Sequence, residues 1–362
     1  MGKKFKLLAA LSLVLMLMAQ LLTGCGSTGT KDAATADKKQ IKVGFAQKTL
    51  ENEFQKALAD GVVKAGEAKG WKVTVLDAKN SIENEQKNME TFVAQKYDLI
   101  FINVVDTKAA TESINAAVKA GIPVIGIDSH VDEAANVVTG VSAPDLANGR
   151  VVGLFAAKQY DKSEMISAAL LSGNKGNPGG QARRKGLFAG IIEGRTGCTE
   201  KEAWALADKF EQELTDNGKA VNNEAKFAVV TQGWGNWTVN GGLPAMEDIL
   251  VANSKINCVL GENDSMLIGA KQAIDNRSLT GIKIFAAADA MKGALELIKG
   301  GSAYQATGLN NPKLVGAKGI DIAEKVLVEH VDPKSFGKTV TTDPVCVTAE
   351  NVDKFYDPNA IF

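Results

Sequence analysis

Hydrophobic positions along most of the chain follow two alternating spacings. Short apolar runs, such as 41–45, are typical of buried strands. The residues that follow this run recur at helical spacing, as in Phe54, Leu58, Val62 and Ala65. Repeated alternation of this kind predicts an α/β protein with parallel sheets and helices on both faces.

The predicted elements are too numerous for one small sheet. Strands are expected at 41–45, 72–76, 99–102, 123–127, 137–141, 165–171, 226–230, 256–260 and 282–286, and near Ala306. Helices are expected from Phe54, from a cap at Ser81, at 109–120, at 146–160, after Arg183, and at 243–251, 265–274, 291–299 and 350–356. The pattern restarts near Ser142, which predicts two doubly wound, Rossmann-like lobes.

The first 25 residues have the layout of an export signal. Lys3, Lys4 and Lys6 precede an apolar run at 7–22, and Leu22-Thr-Gly-Cys25 follows it. The tetrapeptide matches the bacterial lipobox, so 1–24 is predicted to be a lipoprotein signal peptide and Cys25 the lipidated residue. One lipidated cysteine predicts an extracytoplasmic protein anchored to a bacterial membrane rather than spanning it.

Composition narrows the function classes. Residues 25–40 are small and polar and predict a flexible tether. Loss of three signal-peptide lysines changes the net charge from −1 to −4, and no basic face is evident, which argues against nucleic acid as a partner. With only His130 and His330, a His-based metal site or triad is not expected, and neither is a cofactor. Pairing of Cys198 with Cys258 is left open, with Cys346 the third cysteine of the body.

Polar residues follow the predicted strands, where open α/β sheets bind ligands. They include carboxylates, amides, one arginine and aromatic rings: Asn52, Phe54, Asn103, Asp128, Arg183, Trp237, Asn263, Asp289 and Asn310. Carboxylates and amides bind hydroxyls, and aromatic rings cover the C–H faces of sugars. Turn stabilisation, helix capping, solvation or core packing are the alternative roles of these residues. The glycines of 172–181 form no phosphate loop.

Several segments resemble type I periplasmic solute-binding proteins of the ribose-binding kind. Thr49–Phe54 resembles that family's TLNNPFF segment, Asn263–Ala270 resembles NDEMALGA, and Asn310–Gly319 resembles QLPDQIGAKG. Ile102-Asn103 and Ile127-Asp128 are similar to the family's strand-end pairs, and 182–186 to its arginine-containing helix start. The resemblance covers 41–350. It implies that the nine strand-end residues line a cleft between two lobes.

The resemblance also implies a domain plan and a function. The first lobe would comprise 41–142 plus 310–341 and the second 143–309 plus 342–362, joined by a hinge of three crossings. The expected function is that of a monomeric sugar-binding lipoprotein that serves the permease of an ABC importer. Departures from the family occur at Gln55, Ser129 and Asn310, and the first two remove an aromatic ring and a cation. A larger or differently hydroxylated sugar, or an inositol-like polyol, is therefore expected rather than ribose.

Two alternatives remain at this point. A receptor that reports to a sensor or chemotaxis protein would use the same fold. An exported sugar-acting enzyme would use Asp128 and Asp289 as a carboxylate pair.

Overall fold

The computed structural model describes residues 40–253 and 255–362, so Cys25 and the predicted signal peptide lie outside the described residues. The strands are β1 (Lys42–Gln47), β2 (Lys72–Asp77), β3 (Leu99–Asn103), β4 (Val124–Ile127), β5 (Gly140–Ser142), β6 (Ile166–Ser172), β7 (Ala220–Asn222), β8 (Phe227–Trp234), β9 (Cys258–Gly261), β10 (Lys283–Asp289), β11 (Tyr304–Leu309), β12 (Thr339–Thr341) and β13 (Cys346–Thr348).

Ten α-helices connect these strands. They are α1 (Glu53–Ala68), α2 (Ile82–Ala94), α3 (Thr111–Lys119), α4 (Asp145–Ala157), α5 (Pro178–Thr196), α6 (Glu200–Asn217), α7 (Val239–Ala252), α8 (Asp264–Asn276), α9 (Lys292–Lys299) and α10 (Pro312–Leu327). The expected cap at Ser81 is confirmed, since its hydroxyl accepts from the Asn84 amide at 3.3 Å. Among the described helices, none combines the length and the apolar character that a membrane span requires.

The strands form two sheets, and each sheet is the centre of one lobe. The first lobe has the order β12-β5-β4-β3-β1-β2, and the second has β13-β11-β10-β9-β6-β8-β7. Strand pairs are parallel except for β11 with β13 and β7 with β8. The predicted α/β class with two doubly wound lobes is confirmed.

Each sheet is buried on both faces. In β6, Ala168 and Leu170 pack into one apolar cluster, while Ala169 and Leu171 pack into another. Successive strand side chains point to opposite faces, so a continuous apolar run fills both layers. The central strands therefore read as uninterrupted apolar segments.

Three chain crossings join the lobes: between β5 and α4, between β11 and α10, and between β12 and β13. Asn148, fully buried in α4, connects all three. Its Nδ2 donates to the Leu309 carbonyl at 2.8 Å, and its Oδ1 accepts from the Val345 amide at 3.2 Å. One side chain thus holds the second and third crossings from the helix that follows the first.

Some predicted elements differ from the structure. The predicted strand 137–141 is shorter, at Gly140–Ser142, and the predicted helix at 350–356 is a 3-10 turn at Val352–Lys354. Helix α6 was not predicted, although Thr199 and Glu202 form a capping box in front of it. Cys198 and Cys258 are both free thiols.

Candidate functional site

The first group of predicted site residues lies where β1, β3 and β4 end side by side. The Asn103 amide nitrogen is 2.9 Å from Gln47 Oε1 and 2.7 Å from Gln55 Oε1. The same nitrogen is 3.4 Å from Asp128 Oδ2, and Gln55 Nε2 is 3.3 Å from that oxygen. Since β3 pairs with both β1 and β4, side chains distant in sequence form one polar network. We call these four residues the first-lobe cluster.

A cation stands beside this cluster. Lys48 Nζ lies 3.6 Å from Asp128 Oδ2 and donates to Ser129 Oγ at 2.9 Å. Lys48 places a cation beside Asp128 from the end of β1, where Ser129 offers none, and the expected loss of a cation from the pocket stays a prediction. The position of Lys48 directly after a strand is the signal that could have identified it.

Asn52 and Phe54 lie at the start of α1. Asn52 is exposed and caps the helix, with Oδ1 accepting from the Gln55 amide at 2.9 Å. Phe54 is half-buried, and its ring contacts the Phe362 ring at a centroid distance of 5.2 Å. The cap fixes the backbone at Gln55, whose side chain belongs to the first-lobe cluster.

The second group is built around Arg183 in α5. Its Nε donates to Asp145 Oδ1 at 2.8 Å, and its NH1 lies 3.1 Å from Asp289 Oδ1. Asn310 Nδ2 donates to the same Asp289 oxygen at 3.1 Å. Asn310 Oδ1 is buried and accepts no hydrogen bond from any residue that the structure describes. A buried acceptor of this kind is suited to a hydroxyl donor.

Electrostatics couple the groups of the two lobes. Burial raises the pKa of Asp289 to about 7, although the Arg183 charge lowers it. Burial lowers the pKa of Arg183, but three carboxylates raise it by more, so its net shift is upward. These carboxylates are Asp145, Asp289 and, from the first lobe, Asp128. Arg183 is therefore always charged and lies within electrostatic reach of both lobes.

Trp237 and Asn263 form a third part of the site. A Cβ atom at Gly173 would lie 1.9 Å from the Trp237 ring, so the indole packs on bare backbone. Asn263 Nδ2 donates to the Trp237 carbonyl at 3.3 Å, while its Oδ1 caps α8 through the Met266 amide at 3.1 Å. The Arg183 guanidinium carbon lies 5.8 Å from the Trp237 ring centroid.

Glu262 bonds to Arg183 and to the residues that support Trp237. This role was not predicted from the sequence. Its Oε1 pairs with Arg184 NH1 at 2.8 Å, and its Oε2 accepts from the Gly173 amide at 2.8 Å. Its carbonyl accepts from Arg183 NH1 at 3.2 Å. Arg184 is buried rather than solvated and also pairs with Glu211. Burial of this network fixes the loop on which Trp237 rests.

A groove of about 870 Å³ also occurs on the first lobe. Residues of β4, β5 and β12 line it, and Asp128 is the one predicted site residue among its walls. Its walls also carry Asp132, Glu133 and Asn136 but no arginine, and the other eight predicted site residues lie outside it, in or beside the strand-end groups.

Comparison with known proteins adds independent information. The periplasmic binding protein domain family matches residues 43–330. The ribose import binding protein of Bacillus subtilis strain 168 is 26% identical over 323 residues, which cover 88% of this chain and 93% of that protein.

Solved structures share the fold. An ABC transporter solute-binding protein from Mycobacterium smegmatis with bound glycerol has a TM-score of 0.71 at 23% identity, covering 89% of this chain and 98% of that one. A periplasmic solute-binding protein from Actinobacillus succinogenes 130z with bound D-allose has a TM-score of 0.69 at 25% identity, covering 87% and 99%.

Proposed function

Because the chain belongs to the periplasmic binding protein domain family, we propose that it captures a monosaccharide or a similar polyol and delivers it to an ABC importer. It is an extracytoplasmic binding protein and not an enzyme. Asp128 and Asp289 serve as hydroxyl acceptors rather than as a catalytic carboxylate pair.

The observation that carries this proposal is the pairing of two hydroxyl-binding groups, one on each lobe. Asp128 and Asn103 present a carboxylate and an amide from the first lobe. Arg183 and Asp289 present a cation and a carboxylate from the second, and Asn310 adds an amide from the crossing that follows β11. Charged groups form stronger hydrogen bonds to hydroxyls than neutral groups do, so a sugar is held from both sides.

The proposed mechanism is closure of the lobes about the three crossings. Ligand shifts the equilibrium toward the closed form only through contacts that are stronger there. The limits of the moving parts are 41–142 plus 310–341 and 143–309 plus 342–362. The permease then recognises the closed pair of lobes.

Two further features belong to the proposal. Cys25 carries the lipid that holds the protein at a bacterial membrane, with 25–40 as its tether. The protein works as a monomer, since a single cleft between its own lobes suffices for binding.

A thermal-shift screen tests the proposal. The purified protein is heated with D-ribose, D-allose, myo-inositol or, as a control, L-alanine. A ligand at 100 times its Kd adds about 2.7 kcal/mol to the free energy of unfolding. The binding sugar should also reduce the radius of gyration in solution scattering.

Matched variants localise the binding. Asp128→Asn should weaken binding by about tenfold or more, because a hydrogen bond to a charged group contributes about 1.5–3 kcal/mol. Glu133→Gln changes an exposed carboxylate of the same lobe and should bind as the wild type does. Stabilisation by L-alanine alone, or sugar binding without compaction, would refute the proposal.

A further inference from the structure

Residues 357–362, the bridging segment, run from the second lobe to the first. The segment follows the turn Val352–Lys354, whose Val352 packs in the second-lobe core. Lys292 of α9 donates to the Pro358 carbonyl at 2.5 Å. On the side of the first lobe, Lys313 Nζ of α10 lies 4.0 Å from Asp357 Oδ2. The segment therefore has contacts with both lobes before it reaches Phe362.

Phe362 ends on the predicted sugar site. Its ring meets Phe54 edge to face, with centroids 5.2 Å apart and planes at 89°. This is a favoured geometry for two aromatic rings. Phe362 is partly buried, whereas its neighbour Ile361 is 53% exposed. The contact is thus specific to one side chain of the segment.

The surroundings of Phe54 suggest what the Phe362 ring contributes to the predicted sugar site. Gln55 is buried within the first-lobe cluster and offers that cluster an amide instead of a second aromatic ring. Phe54 is half-buried at the first turn of α1. A perpendicular ring at 5.2 Å packs against it and restricts its χ angles.

We propose that Phe362 is a positioning residue for the sugar site: it orients Phe54 and, through the bridging segment, favours the arrangement in which the lobes are closed. This inference rests on the proposed sugar-binding function. Because the Phe54–Phe362 contact joins the two lobes, opening must break it. Its loss should therefore accelerate ligand dissociation more than it slows association.

The test measures sugar affinity and dissociation rate by calorimetry and stopped-flow tryptophan fluorescence. The probe is whichever of D-ribose, D-allose and myo-inositol stabilises the wild type. Phe362→Ala should weaken binding by roughly 3- to 10-fold, mainly through faster dissociation, on the scale of one aromatic pair. Phe362→Tyr keeps the ring and should restore binding. Ile361→Ala, the matched control, should leave both quantities unchanged.

A double-mutant cycle separates positioning from general packing. If Phe362 acts through Phe54, adding Phe362→Ala to Phe54→Ala should cause little further loss. Equal affinity of Phe362→Ala and wild type, or full additivity in the cycle, overturns the inference while leaving sugar binding intact.

A ligand-free measurement keeps the two proposals distinguishable. In protein labelled at phenylalanine rings, NMR should show a nuclear Overhauser contact between Phe54 and Phe362, lost in Phe362→Ala. Absence of this contact in the wild type overturns the inference. Failure of every sugar to bind refutes the proposed function, even where the ring contact is present.

Discussion

Replacing Arg183 with methionine tests how strongly its ion pairs with Asp145 and Asp289 stabilise the protein. The change keeps much of the side-chain length but removes the charge that lies 2.8 Å from Asp145 and 3.1 Å from Asp289. Removing one partner of a buried ion pair costs about 3–5 kcal/mol, because the other charge stays buried without compensation. We expect a loss of this size in the free energy of unfolding at pH 8.

The loss should depend on pH with a definite sign. Burial raises the pKa of Asp289 to about 7, from an ordinary value of 3.8. The stability that this group contributes is therefore fully present below its unfolded-state pKa and is lost as the pH rises through about 7. At pH 5 the carboxyl is mostly protonated, so Arg183→Met should cost less there than at pH 8, by about 1 kcal/mol or more.

Urea denaturation of the ligand-free protein at pH 5 and pH 8 measures both quantities. Arg150→Met is the control, since it removes partly exposed pairs with Glu193 and Glu200 and should cost about 1 kcal/mol. A cost for Arg183→Met that is equal at the two pH values, or that stays near the control value, would refute the reasoning.

Three further predictions concern Asn148 at the hinge, the Trp237 indole and the predicted lipid anchor at Cys25. Asn148→Ala leaves the buried Leu309 carbonyl and the partly buried Val345 amide without this partner and should destabilise the protein by about 2–4 kcal/mol, measured with urea; a shift within error would show that the hinge does not need this side chain. Trp237→Ala should weaken sugar binding by about 1–3 kcal/mol in calorimetry, and unchanged affinity would assign the indole to packing alone. Cys25→Ser should release the protein from the membrane fraction of expressing cells or leave it unprocessed; a processed, membrane-bound variant would contradict lipidation.

Strand-end position was enough to select residues that the structure brings together. Asn103, Asp128, Asp289 and Asn310 each stand at or directly after an apolar run, and the rule that ligands bind at strand ends is local. The structure places the first two within 3.4 Å of each other and the last two within 3.1 Å. Their role toward a sugar stays a prediction.

The partners of these residues were not evident from the sequence. Gln47 and Gln55 bond to Asn103 because β1 lies next to β3, and Lys48 reaches Asp128 from the end of β1. Strand order is set by long-range packing, which spacing along the chain does not encode. Phe362 contacts Phe54 for the same reason.

Two adjacent arginines show most clearly which contacts could not be predicted from the sequence. Arg183 and Arg184 are neighbours in sequence, yet one pairs with Asp145 and Asp289 while the other pairs with Glu211 and Glu262. Successive residues of a helix point about 100° apart, so each arginine faces a different part of the lobe. From the residues alone, ligand contact and solvation both stayed open for Arg183, and the burial of Arg184 was not predicted.

The sequence by itself determined the α/β class, the two lobes and the strand-end positions of the predicted site residues, because hydrophobic spacing and chain order are local properties. Only the tertiary structure decided which charges meet, which are buried, and that Asp289 titrates near neutral pH. Those properties arise from desolvation and from distances between residues far apart in the chain, and both exist only once the lobes have folded.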